Sequence, residues 1–210
     1  MSPLFIRLCV LFVTTMLASN IIAAKIISLG PIISPAAVLV FPITYILSDI
    51  FSEVYGYKAS RITAWYAFGA NLLMVLFFKL AIFMPGAPFW GAEAQRAFED
   101  TLGGTWRILI ASLTAYMAGD FINDVIFKKM KDKQGEKRFG VRAILSSMVG
   151  EAVDSFVFIT IAFWGTPFFT YAIIPAQWAI KITYEIILLP LTILAIKKIR
   201  QAEQNYTKQK

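Results

Sequence analysis

Acidic side chains recur inside the most apolar stretches of this sequence. Asp120, Glu151, Asp154 and Glu185 lie well within such stretches, and Asp49 lies near the end of another. If the stretches cross a membrane, a carboxylate at their centre costs roughly 2.5–3.5 kcal/mol on insertion scales, so it normally faces a bundle interior or a wet cavity. The positions therefore predict an internal polar site.

The spacing of the acids groups them in pairs. Asp49 and Glu53 are four residues apart and Glu151 and Asp154 are three apart, so each pair is expected to share one helix face. Such faces suit a proton relay, or a site for a cation or a polar ring.

The alternative is that the acids are merely neutralised by basic residues of the same stretches. Lys181 and Glu185, four residues apart, would form an ion pair within one helix. The basic residues available for such pairing are Lys25, Lys79, Arg107 and Lys181. The acids outnumber them, so pairing alone is an incomplete explanation.

The composition gives little support for enzymatic activity or for a metal site. The sequence has no histidine and one cysteine, Cys9, so it lacks the commonest general base and metal ligand and cannot form a zinc cluster. We expect no metal, no cofactor and no enzymatic activity. The enzymatic alternative is a membrane-embedded hydrolase or transferase. An aspartyl protease of this kind would pair two aspartates, but Ala118-Gly119-Asp120 departs from the usual Gly-x-Gly-Asp motif.

The elements that carry these residues are predicted to be membrane helices. Hydrophobic residues make up 58% of the chain and charged residues 16%, against about 45–50% and 25% in soluble domains. A helical span needs about 20 apolar residues. Six runs qualify: Leu4–Ala24, Ile32–Ser48, Ile62–Phe83, Ile108–Phe127, Ile144–Trp164 and Ile174–Ile196. We therefore predict an all-α integral membrane protein, a single domain over residues 1–210 with six transmembrane helices.

The distribution of Lys and Arg predicts the orientation. Seven lie in residues 128–142 and five follow the last run, whereas residues 165–173 contain none. Because basic loops stay in the cytoplasm, both termini are expected there. The net charge of +7 is thus interpreted as a topology signal and a contact for anionic lipid, with no nucleic-acid partner.

Two local patterns concern packing and the opposite membrane face. Ala111, Ala115 and Gly119 recur at four-residue steps, the small-residue stripe along which helices approach closely. In the long connection after the third run, Ala92–Leu102 is predicted to form a short amphipathic helix. It would cap the outer mouth of the bundle, and a solvated loop is the alternative.

Several polar blocks, read together, resemble the queuosine precursor transporter family, also called the vitamin uptake transporter family. The likeness runs from Ala18 to Lys198 and is most specific in the second run. The blocks are Ser19-Asn20-Ile21-Ile22-Ala23-Ala24-Lys25; Phe41-Pro42-Ile43-Thr44-Tyr45-Ile46-Leu47-Ser48-Asp49; Glu53-Val54-Tyr55-Gly56-Tyr57-Lys58; Gly150-Glu151 with Asp154; and Lys181 with Tyr184-Glu185 and Pro190.

This resemblance implies a multi-pass importer of the bacterial inner membrane. Its substrates would be 7-deazaguanine precursors of queuosine such as preQ0, preQ1 or queuine, moved by secondary or facilitative transport. The architecture would be similar to the small substrate-binding subunits of vitamin importers, without an ATPase partner. The alternative is a substrate-binding subunit that needs an energising complex. The sequence is compatible with a monomer and with a homodimer.

The chemistry of a deazaguanine suits the polar residues. One carboxylate can accept its N1–H and exocyclic amine together, in a bidentate geometry, and amide or ammonium groups can donate to its carbonyl. A cationic aminomethyl substituent on the ring would pair with a second carboxylate, that of Asp49 or Glu53. The predicted substrate-binding residues are Asn20, Tyr45, Asp49, Glu53, Asn71, Asp120, Glu151, Asp154, Gln177, Lys181 and Glu185.

Overall fold

The computed structural model of the chain describes residues 2–134 and 139–208. Its helices are α1 (Pro3–Ile22), α2 (Phe41–Ile50), α3 (Tyr57–Phe83), α4 (Ala92–Leu102), α5 (Thr105–Gln134), α6 (Phe139–Phe163) and α7 (Ile173–Lys208). Two short strands, β1 (Ile26–Leu29) and β2 (Ile32–Pro35), lie between α1 and α2, followed by a 3-10 turn at Ala36–Leu39. A π-helical turn, Phe51–Tyr55, follows α2.

Long apolar helices dominate the described residues. Among them, five helical stretches are long and apolar enough to cross a membrane, and they overlap the first and the third to sixth predicted runs. The chain is therefore a largely helical, multi-pass membrane protein. The number of crossings and the orientation stay predictions, since part of the basic segment 128–142 lies outside the described residues.

The second predicted run does not form one continuous helix. Its beginning pairs with residues 26–29 in an antiparallel hairpin, in which Ile26 lies opposite Pro35 and Leu29 opposite Ile32. Gly30 has a φ of +64°, which the first central position of a tight hairpin turn requires. This hairpin is the exception to the all-α prediction. Pro42 lies in the first turn of α2, where its missing N–H costs no helical hydrogen bond.

The order of the elements defines two ends of the bundle. At the termini end, Ser2 Oγ donates to Glu203 Oε1 of α7, and Tyr55 Oη donates to the same oxygen over 2.7 Å. At the hairpin end, the start of α5 lies beside the end of α6, as the hydrogen bond from Arg107 Nε to the Ile161 carbonyl shows. Residues 36–55 thus return the chain from the hairpin end to the termini end.

Each end has its own apolar core. The hairpin end contains Ala23, Ala37, Ile108, Ala111, Ala115, Phe158, Ile159, Ala162, Phe163 and Ile173. The termini end contains Phe5, Phe12, Leu47, Phe51 and Ala67, from α1, the α2 region and α3. The predicted helix Ala92–Leu102 is confirmed as α4, and none of its residues is buried.

Helices α5 and α6 approach most closely where two glycines meet. A Cβ added to Gly119 would lie 2.9 Å from the Gly150 carbonyl oxygen, and one added to Gly150 would lie 2.9 Å from the Gly119 oxygen. Ala111 and Ala115 of the same stripe are fully buried. The small-residue stripe is therefore confirmed as a packing surface, and its Gly119 lines the cavity described next.

Candidate substrate-binding cavity

A cavity of about 350 Å³ lies inside the bundle. Small-molecule sites usually enclose roughly 300–1,000 Å³, so a two-ring heterocycle fits its size. Its walls come from α1, α2, α3, α5, α6 and α7. The polar lining residues are Ser19, Asn20, Thr44, Tyr45, Ser48, Asp49, Ser112, Tyr116, Asp120, Asn123, Ser147, Glu151, Asp154, Gln177, Lys181 and Glu185.

Helical periodicity explains how α2 presents its polar residues. Thr44, Tyr45, Ser48 and Asp49 recur at one- and four-residue steps and all line the cavity, as residues of one helix face do. Leu47 lies on another face and packs into the core of the termini end. The short α2 therefore separates a polar cavity from an apolar core.

Three charged side chains form an ionic centre within the cavity. Lys181 Nζ of α7 lies 2.9 Å from Glu151 Oε2 and also donates to Asp154 Oδ2. The side chain of Lys181 is only 6% exposed. Glu151 and Asp154 are three residues apart on α6, so both reach the same ammonium group, as their spacing predicts. A buried ion pair of this kind needs such geometry to offset the loss of hydration.

Aromatic groups surround the ionic centre. Tyr45 Oη donates to Glu151 Oε2 over 3.5 Å. Lys181 Nζ lies 5.3 Å from the centre of the Phe41 ring, within the range of a cation–π contact. The ionic centre therefore adjoins ring surfaces against which a flat ligand can stack.

The expected neutralising pairs are mostly different from the observed ones. Lys79 donates to the Gly103 carbonyl over 2.9 Å, and Arg107 donates to backbone carbonyls of Ile161 and Trp164. Lys181 pairs with the two α6 acids and not with Glu185 of its own helix. Asp120 lies 3.0 Å from Arg61, a partner that the sequence did not suggest.

Two cavity acids have no basic partner within ion-pair distance among the described residues. They are Asp49 of α2 and Glu185 of α7, two helices that pack against each other. The cavity is therefore lined by more acidic than basic side chains.

Amide groups complete the polar lining. Gln177 is 1% exposed and its Oε1 accepts no hydrogen bond. The Oδ1 atom of Asn123 also has no hydrogen-bond donor. Asn20 Nδ2 donates over 2.7 Å to Asn71 Oδ1, and Asn71 in turn donates to the Ala67 carbonyl. An unsatisfied buried polar atom costs about 1–3 kcal/mol, so the free oxygen of Gln177 indicates a position where a ligand donates.

The structure brings most of the predicted binding residues together. All except Asn71 and Glu53 line the cavity. Asn71 lies behind Asn20 and fixes its orientation. Glu53 is exposed and faces Arg200, 3.7 Å away. Asp49 lines the cavity and Glu53 does not, and a π-helical turn begins between them at Phe51. The part of these residues in binding stays a prediction.

Sequence reasoning missed several lining residues. Thr44 and Ser48 lie beside Tyr45 and Asp49 in the sequence, and Asn123 lies one turn after Asp120. Helical spacing from the named residues would have found them. In the described part of the chain, no group of three or more acidic or cysteine side chains converges to hold a metal ion.

Comparisons with known proteins agree on a transport family. Residues 35–195 match a family model described as "Putative vitamin uptake transporter". A curated protein of Haemophilus influenzae, named "Probable queuosine precursor transporter", is 26% identical over 126 residues. The matched segment is 60% of this chain and 50% of that protein, so the chain matches about half the length of this relative. No solved structure matches the chain.

Proposed function

The chain belongs to the vitamin uptake transporter family, and on that premise we propose that it carries a 7-deazaguanine precursor of queuosine across the membrane through the central cavity. The matched residues include every cavity-lining position of α2, α3, α5, α6 and α7. The name of the Haemophilus influenzae relative supports the substrate class. The proposed location is a bacterial inner membrane, with both termini in the cytoplasm.

The observation that carries the proposal is the ionic centre beside an unpartnered amide in one cavity. Glu151 and Asp154 present acceptors, Lys181 presents a donor, and the buried Gln177 presents an amide without a partner. A deazaguanine ring carries two adjacent N–H donors next to a carbonyl acceptor. The carboxylate acceptors of the cavity would face the N–H donors of the ring, and the Lys181 donor would face the ring carbonyl.

The residues have distinct roles in this proposal. Glu151 accepts N1–H and the exocyclic amine of the ring, while Lys181 stays neutralised by Asp154 and donates to the ring carbonyl. Tyr45 and Phe41 offer ring faces for stacking. Asn71 acts through Asn20, whose orientation it fixes. Asp120 lines the same wall and pairs with Arg61.

The test is uptake in a bacterium that makes no queuosine precursor and lacks both its own importer and energised vitamin importers. Candidate deazaguanines are supplied at low concentration, and queuosine is measured in tRNA. We expect the wild-type chain to restore queuosine with at least one compound. Glu151→Gln should abolish this restoration, because the amide cannot accept both N–H groups.

A matched control separates the site from general effects of lost charge. Glu93→Gln removes an exposed carboxylate of α4 and should leave uptake intact at equal membrane abundance. Failure of the wild-type chain to restore queuosine despite expression, or full uptake by Glu151→Gln, would contradict the proposal.

A further inference from the structure

We propose that Asp49 and Glu185 form a second subsite in the cavity, which binds a primary ammonium group carried by the substrate ring. The inference rests on the proposed function and deepens it. The protein would select a cationic deazapurine over a neutral one of the same size. The subsite lies beside the ionic centre and is separate from it, since neither acid contacts Lys181 in the described structure.

Helix geometry places the two acids at one level of the cavity. Asp49 follows Tyr45 by four residues, and Glu185 follows Lys181 by four residues. Both α2 and α7 run from the hairpin end towards the termini end, so each acid lies one turn, about 5.4 Å, further in the same direction. A two-ring heterocycle bound at the ionic centre can span this distance with a short substituent.

Charge balance identifies the ligand group. Lys181 is shared by Glu151 and Asp154, and Asp120 lies 3.0 Å from Arg61. No basic group of the described chain lies within ion-pair distance of Asp49 or Glu185. Two carboxylates in a membrane interior are costly without a counter-charge. An ammonium group between them supplies it through charge-assisted hydrogen bonds.

A second, independent observation points to a ligand in this cavity. Gln177 is 1% exposed and lines the cavity, yet its Oε1 has no hydrogen-bond donor. Gln177, Lys181 and Glu185 recur at four-residue steps on α7, so they present an amide, an ammonium and a carboxylate in successive turns. One elongated ligand can therefore contact all three groups.

The test compares two ligands that differ in one substituent. We would measure direct uptake of radiolabelled 7-aminomethyl-7-deazaguanine, which is cationic, and of 7-cyano-7-deazaguanine, which is neutral. The wild-type chain should prefer the aminomethyl compound. Asp49→Asn and Glu185→Gln should each lower the aminomethyl-to-cyano ratio about tenfold, the effect of losing one hydrogen bond to a charged group. Glu93→Gln, which removes an exposed carboxylate of α4, should leave the ratio unchanged.

The outcomes separate this inference from the proposed function. Absence of uptake of both compounds by the wild-type chain would overturn the proposed function. Uptake of both compounds without preference for the amine would overturn the subsite alone. This comparison uses only the wild-type chain, so it does not depend on the folding of any variant. An equal loss of both compounds in Asp49→Asn and Glu185→Gln would also overturn it, because the two acids would then serve the ring or a coupling cation.

Discussion

Two groups of opposite charges in this molecule differ in their surroundings. In the ionic centre, the Lys181 side chain is 6% exposed and lies 2.9 Å from Glu151. At the surface of the termini end, Arg200 and Glu53 are 51% and 64% exposed and lie 3.7 Å apart. Water can solvate each surface charge alone, whereas the cavity cannot. Charged pairs are therefore expected to contribute strongly to stability in the cavity and hardly at all at the surface.

The comparison is sharpest for two acids that are neighbours in the sequence. Asp49 and Glu53 are four residues apart, yet Asp49 lines the cavity and Glu53 faces Arg200 outside it. The change from α-helix to π-helical turn at Phe51 separates them. Position along the chain alone therefore does not tell a cavity acid from a surface acid.

The largest expected effect is the loss of Lys181. Lys181→Met leaves Glu151 and Asp154 without their common counter-charge, which should lower the free energy of unfolding by about 3–5 kcal/mol. The measurement is unfolding of the purified protein in mixed detergent micelles. Arg200→Met is the matched control, with an expected loss of at most about 1 kcal/mol. Equal losses in the two variants would break the comparison.

A smaller effect is expected at the wall of the cavity. Gly150→Ala places a Cβ 2.9 Å from the Gly119 carbonyl oxygen, and overpacking of this kind typically costs about 1–3 kcal/mol. The variant should have reduced unfolding stability and reduced uptake. Gly69→Ala on α3, where nothing lies within 4 Å, is the control and should keep both. Wild-type behaviour of Gly150→Ala would show that α5 and α6 can separate freely.

The third prediction separates binding from stability. Gln177→Leu removes an amide oxygen that accepts no hydrogen bond from the protein, so unfolding stability should not fall. Substrate affinity should fall about tenfold, because a ligand loses one buried hydrogen bond. The two quantities are measured on the same preparation by thermal unfolding and by calorimetric titration. A destabilised variant with unchanged affinity would assign Gln177 to packing.

The smallest effect is expected at the surface pair. A double-mutant cycle of Glu53→Gln and Arg200→Met should give a coupling free energy of roughly 0.2–1 kcal/mol. Unfolding measurements on the four proteins provide the value. A coupling of several kcal/mol would mean that the termini end depends on this pair as strongly as the cavity depends on Lys181.

Hydropathy and spacing in the sequence predict much of this structure. The long apolar helices, α4 and the packing role of Ala111 and Ala115 follow from local patterns. The hairpin of residues 26–35 was missed because an apolar run of this length fits a helix equally well. Gly30-Pro31 between two similar Ile-Ile-Ser segments was the available signal.

The site is predictable only in part. The three-residue spacing of Glu151 and Asp154 predicts that they act together, but not that Lys181 of another helix lies between them. Likewise the partners of Lys79 and Arg107 are backbone carbonyls of distant segments. Such contacts depend on how the helices pack against one another. The local spacing of residues in one sequence does not predict that packing.

The most direct test of the cavity as the binding site uses a single thiol. Cys9 is the only cysteine of the sequence, so Cys9→Ser gives a background in which Ser147→Cys, one turn before Glu151, reports from the cavity wall. Ser52→Cys, at an exposed position, is the control. Alkylation by a maleimide is followed in purified protein with and without 7-aminomethyl-7-deazaguanine. We predict that the ligand slows alkylation of the Ser147→Cys protein and not of the control, and equal rates with and without ligand in both proteins would contradict binding in this cavity.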